Sequence, residues 1–243
     1  MHSNMIPKMQ TAKNKAIFCW SGGKDSSLAL YKVLQSGDWD VKYLLCTLNG
    51  EHRRISMHGV REALVDAQSA SIGIPLIKVF TYEASNAEYE KQMEAALLQV
   101  KGEGIEHVIF GDIFLEDLRV YRENNLAKIG MTAVFPLWKH DTRELVNAFI
   151  ASGFKTITCC VNDALLGEEH VGKVVDAEFI NALPPAVDPC GENGEFHTFC
   201  FDGPIFKEAI PFTKGEKIYK PLELKEEDLS YSNTKGFWYC ELL

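Results

Sequence analysis

The sequence lacks several features that would define its class at once. No apolar stretch approaches the roughly 20 residues that are needed to cross a bilayer, and residues 1–15 contain no apolar signal core, so we expect no membrane partner. The seven cysteines form no C-x-x-C pair, which is unlike the usual spacing of zinc ligands. We therefore expect reduced, buried thiols in a cytoplasmic protein.

A basic stripe is also missing. Lysine and arginine number 25 against 34 aspartate and glutamate residues, which gives a formal net charge of −9. Proteins that bind nucleic acid through its phosphates usually present clustered positive charge, so we expect no nucleic-acid partner. The composition, 46% hydrophobic and 24% charged over 243 residues, suits one large or two modest globular domains.

Strand-like and helix-like segments alternate over the first half of the chain. The apolar patterns predict strands at 16–20, 41–48, 76–80 and 107–111, and helices at 25–35, 59–72, 86–101 and 115–129. Asn86 is predicted to cap the third helix. This repetition predicts an α/β fold with a doubly wound parallel sheet, whose ligands bind beyond the carboxyl ends of the strands.

The alternation weakens after Pro136, and a Pro- and Gly-rich stretch at 183–194 precedes short strands and turns. We therefore predict a disordered lead-in at 1–14, an α/β domain at 15–136 and a second, smaller α+β domain at 137–243.

The sharpest motif is the run Ser21-Gly22-Gly23-Lys24-Asp25-Ser26, between a predicted strand and a helix. Two adjacent glycines let successive backbone N–H groups point at one anion, and the helix N-terminus adds partial positive charge. Ser21 and Ser26 can donate to phosphate oxygens, Lys24 supplies a full charge, and Asp25 can cap the helix or bind Mg²⁺. The spacing does not fit a kinase-type phosphate loop; a capped turn is the plain alternative.

A second polar cluster follows the fourth predicted strand. Gly111 and Asp112 stand at the ligand edge of the sheet, and Arg119, Arg122 and Glu123 follow on the next helix. We expect Gly111 and Asp112 to contact the phosphate-bearing ligand of the run Ser21–Ser26 or its metal. Arg119, four residues before Glu123, is expected to be held by it and to bind a phosphate or a carboxylate. A solvated ion pair is the alternative.

Basic residues also follow the second predicted strand, in the loop that contains Arg53, Arg54, Ser56 and His58. Such a loop could close over phosphates at the same edge of the sheet. We expect Arg53 and His58 to bind substrate, although an ordinary surface loop has the same composition.

Glu192, Glu195 and His197 crowd into a Gly-rich run that leads into an apolar strand. Two carboxylates and an imidazole can bind an amine, move a proton or help to hold Mg²⁺. We expect these three side chains to act on a substrate; a polar turn is the alternative.

The run Ser21–Ser26 resembles the PP-loop of the N-type ATP pyrophosphatases, a HUP-like α/β group. That resemblance implies cleavage of ATP to AMP and pyrophosphate, with the loop holding pyrophosphate. Together with Gly111-Asp112, Pro136-Leu137-Trp138, Gly191–Thr198 and Asp202–Phe206, the chain resembles the diphthine–ammonia ligase family over about residues 15–210. The run Gly191–Thr198 is similar to the bacterial branch of that family.

The resemblance implies an ATP-dependent, amide-forming ligase whose Asn193 and Thr198 contact substrate. The family's reaction adenylates the diphthine carboxylate of elongation factor 2 and then transfers ammonia. Because bacterial elongation factor lacks diphthamide, the acceptor of the bacterial branch is left open. The implied partners are ATP, Mg²⁺, a carboxylate-bearing acceptor and ammonia, and a homodimer is compatible with the sequence.

Adenylation brings a negative carboxylate to a negative phosphate, so cations are required. We expect Lys24, Mg²⁺ and either Arg119 or Arg53 to supply them. Ammonium must lose a proton before it can attack, and Glu195 or His197 is expected to accept it.

Two other functions fit parts of the sequence. A tRNA thiolase also uses a PP-loop, but it needs a reactive cysteine, and the adjacent Cys159 and Cys160 lie in an apolar strand. A non-catalytic nucleotide sensor would need the run Ser21–Ser26 without the cluster at Glu192, Glu195 and His197.

Overall fold

The computed structural model describes residues 13–82, 85–222 and 234–243. The predicted lead-in at 1–14 lies outside these residues except for its last two, and Asn14 already begins the first strand. No helix among the described residues is long and apolar enough to span a membrane.

The first part of the chain forms a six-stranded sheet whose helices match the predicted alternation. Its strands are β1 (Asn14–Cys19), β2 (Trp39–Asn49), β3 (Arg54–Ile55), β4 (Leu76–Thr81), β5 (His107–Ile109) and β6 (Thr132–Val134). The helices are α1 (Lys24–Ser36), α2 (Glu62–Ile72), α3 (Asn86–Lys101) and α4 (Glu116–Lys128).

Five strands of this sheet run parallel, in the order β4-β2-β1-β5-β6, and the short β3 pairs antiparallel with the end of β2. The chain therefore winds outward from β1 in both directions, and the carboxyl ends of β1 and β5 lie side by side. A cleft forms at such a reversal of strand order. The α/β fold class predicted from the sequence is confirmed.

Local chemistry sets the helix ends. Gly37 and Gly73 end α1 and α2 in the left-handed conformation, with φ of 74° and 82°, where glycine has no Cβ penalty. The predicted cap of α3 was wrong by one residue. Asn86 is the first helical residue, and the hydroxyl of Ser85 accepts the hydrogen bond from the N–H of Glu88.

The second part of the chain builds a smaller antiparallel sheet with strand order β8-β7-β10-β9. The strands are β7 (Lys155–Asn162), β8 (Phe196–Asp202), β9 (Lys214–Pro221) and β10 (Gly236–Leu242), and the helices are α5 (Thr142–Ala151), the 3-10 turn Glu168–His170 and α6 (Ala177–Ala182). This arrangement is the second α+β unit of the predicted fold class.

One hydrophobic core joins the two sheets. Phe154 stacks on Phe149 of α5 at 4.7 Å between ring centroids and meets Tyr31 of α1 edge-on at 5.7 Å. Strand β8 lies against the α1 side of the first sheet, and the N–H of Cys200 donates to the carbonyl of Gly22 at 2.8 Å. The start of β8 is thereby fixed beside the carboxyl end of β1.

Candidate active site

A cleft of about 930 Å³ opens at the carboxyl ends of β1, β2 and β5 and is closed on its other side by the start of β8. Twelve of the residues predicted from the sequence line it: Ser21, Gly23, Lys24, Asp25, Ser26, His58, Gly111, Asp112, Glu192, Asn193, His197 and Thr198. The structure therefore brings together, in one cavity, motifs that are far apart in sequence.

The glycines of the phosphate loop, residues 21–26, are required by close approach. Gly22 has φ of 73°, and a Cβ atom there would lie 2.7 Å from Oε1 of Gln68. A Cβ atom at Gly23 would lie 3.1 Å from the carbonyl oxygen of Thr198. The loop can pass between α2 and β8 only because these two residues have no side chain.

The first turn of α1 presents backbone donors to the cleft. Gly23 precedes the helix without a side-chain cap, and Thr198 Oγ1 accepts from the N–H of Lys24 at 3.0 Å. Within the described chain, the N–H groups of Asp25 and Ser26 have no hydrogen-bond partner. Free donors at a helix N-terminus form an anion site.

Lys24 is almost fully buried, at 3% exposure. Its ammonium group lies 2.7 Å from Oδ2 of Asp25 and also donates to the carbonyl of Cys190. Burial lowers the pKa of Lys24, but Asp25, Cys190 and Glu192 together outweigh burial, so the net pKa shift is upward and the lysine stays charged.

Gln68 holds the phosphate loop in place. It was not predicted from the sequence as a site residue. It is fully buried on α2; its Nε2 donates to the carbonyls of Gly22 at 2.9 Å and Cys200 at 2.6 Å, and its Oε1 accepts from the indole of Trp20 at 3.0 Å. The available signal was a polar residue on the apolar face of a helix, which requires buried partners.

Glu192 reaches across the cleft to the first sheet. Its Oε1 accepts from the N–H groups of Ile113 at 2.7 Å and Phe114 at 3.3 Å. Burial raises the pKa of Glu192 to about 7, although these two donors oppose the shift. A carboxyl group that titrates near neutral pH suits proton transfer.

Glu195 occupies a different position. It is 1% exposed and does not line the cleft; its carboxylate accepts from the N–H of Asp188 and from the N–H and side-chain amide of Asn193, at 2.9 to 3.0 Å. These contacts close the Gly-rich turn on itself. The base role predicted for Glu195 therefore lacks access to the cleft, and its contacts are those of a residue that shapes the loop.

His58 and His197 lie against each other in the cleft, with ring centroids 4.7 Å apart. Nδ1 of His58 donates to the carbonyl of Thr198 at 3.1 Å. Burial lowers the pKa of His58 to about 4 and that of His197 to about 3, and the charge of Lys24 acts in the same direction. Both imidazoles are therefore neutral at pH 7.

The cluster on β5 and α4 differs from the prediction in its arginine. Gly111 and Asp112 line the cleft, and a Cβ atom at Gly111 would lie 3.1 Å from the backbone nitrogen of Ser26. The arginine in the cleft is Arg122, whose Nε and Nη2 bind Asp112 at 2.6 and 3.2 Å. Arg119 and Arg122 are three residues apart and are neighbours on the surface of α4, and packing brings Arg122, rather than the predicted Arg119, into the cleft.

Arg119 and Glu123 pair as predicted, at 2.7 Å, but neither lines the cleft. The guanidinium of Arg119 instead lies 4.6 Å from the ring centroid of Trp138. Arg53 is also outside the cleft; its side chain is 60% exposed and pairs with Glu62 at 2.5 Å. These three residues therefore lie outside the cleft, and the substrate contacts predicted for them stay predictions.

The described residues contain no group of three or more His, Cys, Asp or Glu side chains that could hold a metal. Asp25 offers one carboxylate, and Lys24 already shares it. This donor set fits Mg²⁺ only as an ion that keeps most of its ligands from substrate phosphates and water, which is a common mode for Mg²⁺.

Comparison with known proteins identifies relatives over both sheets. Residues 14–133 match the family model of the diphthamide synthase N-terminal domain, and residues 141–236 match that of the C-terminal domain. Diphthine–ammonia ligase of Mus musculus is 27% identical over 225 residues, with 82% of each chain covered. That of Danio rerio is 28% identical over 222 residues, covering 82% of this chain and 86% of the relative.

The human diphthine–ammonia ligase is 24% identical over 225 residues, again with 82% of each chain covered. The two family models together cover most of the chain, on either side of the boundary between the sheets. The chain therefore belongs to the diphthine–ammonia ligase family.

Proposed function

We propose that the protein is an ATP-dependent ligase that adenylates a carboxylate, releases pyrophosphate and then forms an amide with ammonia. The observation that carries the proposal is the convergence of two motifs in one cleft. Lys24 of the phosphate loop donates to the carbonyl of Cys190, so that an anion site and the carboxyl group of Glu192 face the same cavity.

The phosphate loop would bind the pyrophosphate part of ATP. The unpartnered N–H groups of Asp25 and Ser26 and the charge of Lys24 point to the same end of α1, and such fixed donors stabilise developing negative charge. ATP supplies the activating AMP group, and Mg²⁺, held in part by Asp25, would neutralise phosphate oxygens. Arg122, fixed by Asp112, is the arginine placed to meet a negative substrate.

Glu192 is the best candidate for the base in amide formation. Its pKa of about 7 lets it accept a proton from ammonium near neutral pH, whereas His197, with a pKa of about 3, holds a proton poorly. The neutral rings of His58 and His197 would instead form hydrogen bonds with the acceptor or the incoming amine. In this proposal Glu192, and not Glu195 as predicted from the sequence, accepts the proton from ammonium.

Family membership suggests the acceptor. The relatives named diphthine–ammonia ligase act on diphthine, so elongation factor 2 that carries diphthine is the first candidate for this chain. Thiolation is disfavoured because burial raises the pKa values of Cys19 and Cys46, both in the cleft, to about 12, so neither thiol is activated.

Product analysis with Mg²⁺-ATP tests the proposal. The protein, with ammonium and a diphthine-bearing acceptor, is expected to release AMP and pyrophosphate, and Asp25→Ala is expected to lose this activity. Asp66→Asn is the matched control, since Asp66 is half-exposed on α2 and outside the cleft. Release of ADP and phosphate would contradict the proposal, and binding of ATP without any turnover would indicate a nucleotide-binding protein instead.

A further inference from the structure

The segment between β2 and α2, residues 50–61, includes the short strand β3 and is called the β3 loop; it contacts the second sheet. It carries Met57 and His58 into the cleft. Behind the cleft, Nη2 of Arg54 lies 2.9 Å and Nη2 of Arg61 lies 3.0 Å from the carboxylate of Glu241, near the end of β10. Glu241 itself does not line the cleft.

The turn from Met57 to Gly59 in this loop contains two residues with left-handed backbone conformations. Met57 has φ of 63°, a left-handed conformation that is uncommon for a residue with a side chain. Gly59 has φ of 69°, and a Cβ atom there would lie 2.8 Å from the ring of Tyr239 on β10. Hydrogen bonds within the loop close the turn, from the N–H of Gly59 to the carbonyl of Ile55 and from the N–H of Ile55 to the carbonyl of Val60, both at 2.9 Å. Contacts from outside the loop add to these bonds and offset the cost of the left-handed residues.

Arg54 connects Glu241 to that turn. Its Nη1 donates to the carbonyl of Gly59 at 2.7 Å, while its Nη2 donates to Glu241. On the other side of the turn, Nδ1 of His58 donates to the carbonyl of Thr198 on β8. The loop is thus held between two strands of the second sheet, at β10 through Glu241 and at β8 through Thr198.

We propose that Glu241 is a positioning residue, which acts through Arg54 and Arg61 to hold His58 against His197 in the cleft. Nη2 of Arg54 and Nη2 of Arg61 both donate to Oε2 of Glu241, and Nη2 of Arg54 also lies 2.9 Å from Oε1, at a site where the Glu241 side chain is 20% exposed. Charge-assisted bonds of this kind have a strong preferred geometry. Without the carboxylate, two arginines of like charge would face each other with no partner between them.

The titration of His58 reports its position without any assay of activity. The charged and polar groups that face it are Lys24, His197 and the carbonyl of Thr198. Burial, with the charge of Lys24, lowers its pKa to about 4, and the carbonyl opposes this shift. A histidine released into water titrates near 6.5.

The experiment is an NMR titration of the histidine rings in the full chain, with the His58 signal assigned from its loss in His58→Gln. Glu241→Gln is expected to raise the pKa of His58 by at least one unit, a tenfold change in its proton dissociation constant. Asp202→Asn is the matched control, because Asp202 pairs with Lys155 on the same sheet; it should leave the His58 pKa unchanged. An unchanged pKa in folded Glu241→Gln would overturn the proposal.

Arg61→Gln is the second variant, in case Glu241→Gln fails to fold. It removes one partner of Glu241 and retains the bond to Arg54, so a smaller rise of the His58 pKa is expected. Arg61→Gln combined with Glu241→Gln should raise the His58 pKa no further than Glu241→Gln alone, because Arg61 contacts the carboxylate of Glu241 and both changes break the same link. If the rise of the His58 pKa in the double variant equalled the sum of the rises in the two single variants, the proposal would also be contradicted.

A kinetic comparison rests on the proposed function. In Glu241→Gln the kcat for AMP formation is expected to fall about tenfold, with less than a twofold change in KM for ATP, since the phosphate loop has no contact with Glu241. Absence of AMP with the wild-type protein would contradict the proposed function alone, and the titration would still decide the role of Glu241.

Discussion

The hydroxyl oxygen of Thr198 accepts a hydrogen bond at 3.0 Å from the backbone N–H of Lys24, 174 positions away in sequence. Thr198 is 3% exposed, so the bond is shielded from water. It satisfies one of the free donors in the first turn of α1 and fixes β8 against the phosphate loop. A side chain of the second sheet thus contacts the N-terminus of α1, beside the candidate anion site.

Thr198→Val should destabilise the protein and weaken ATP binding. Valine keeps the shape of threonine but leaves the N–H of Lys24 buried without a partner, which costs about 1–3 kcal/mol. We expect the free energy of unfolding in urea to fall by that amount and KM for ATP to rise severalfold.

Thr156→Val is the matched control for this change. Thr156 lies on β7, is fully buried, and its Oγ1 has no partner among the described residues. Replacing an unsatisfied hydroxyl by a methyl group should leave stability unchanged or slightly raised. Equal losses of stability in both variants would show that the bond from Thr198 to Lys24 contributes nothing specific.

Glu192→Gln should abolish amide formation near neutral pH and also change how stability depends on pH. The pKa of Glu192 in the folded protein, about 7, is above its ordinary value of 4.5. The folded state therefore binds the extra proton between these pH values, so this group stabilises the wild type at low pH and the stability is lost as the pH rises through 7.

Urea unfolding at pH 5 and pH 8 measures this effect. From pH 5 to pH 8, the free energy of unfolding of the wild type should fall by about 2–3 kcal/mol relative to that of Glu192→Gln, because one pKa unit corresponds to about 1.4 kcal/mol. If the free energy of unfolding changed with pH by the same amount in the two proteins, the pKa of Glu192 would not be raised in the folded state. The rate of AMP formation in the wild type should rise with pH up to about 7 if Glu192 acts as the base.

Glu195→Gln should act on stability rather than directly on chemistry. Its buried carboxylate accepts three hydrogen bonds within the Gly-rich turn, and an amide can accept at only one of its two positions. We expect a loss of about 2–3 kcal/mol in the free energy of unfolding, measured by urea titration. Slowed amide formation with unchanged stability would instead restore Glu195 as the base.

Arg122→Gln and Arg119→Gln form a matched pair on one helix. Arg122 lies in the cleft and is held by Asp112, so its loss should raise KM for ATP or for the acceptor at least tenfold. Arg119 lies outside the cleft against Trp138, and its loss should change KM less than twofold. Steady-state kinetics that reversed this order would favour the original assignment of Arg119.

Much of the fold and part of the site could be predicted from local patterns. The strand-helix alternation located all four helices of the first sheet, because each buries one apolar face whose period is visible in the chain. Short elements such as β3 and β6 escaped notice, since two or three residues carry no period. The run Ser21–Ser26 was recognisable because glycine spacing and a helix start act within six neighbouring residues.

Long-range contacts were beyond the reach of those patterns. Spacing placed Arg119 and Arg122 on one helix face, but only packing against the cleft separated them. Likewise, the sequence does not distinguish Glu192 from Glu195, because both are glutamates in the same Gly-rich run. One extends to the N–H of Ile113 and the other folds back onto Asn193.

The sequence by itself determined the fold class and the family, and it indicated Ser21–Ser26 as a candidate phosphate loop, because periodicity and short motifs are properties of neighbouring residues. Only the tertiary structure showed that Arg122 lines the cleft and that Gln68 and Glu241 contact loops that line it. Burial and hydrogen bonding between distant segments set the surroundings of each side chain, and those surroundings determine its charge state and its access to the cleft.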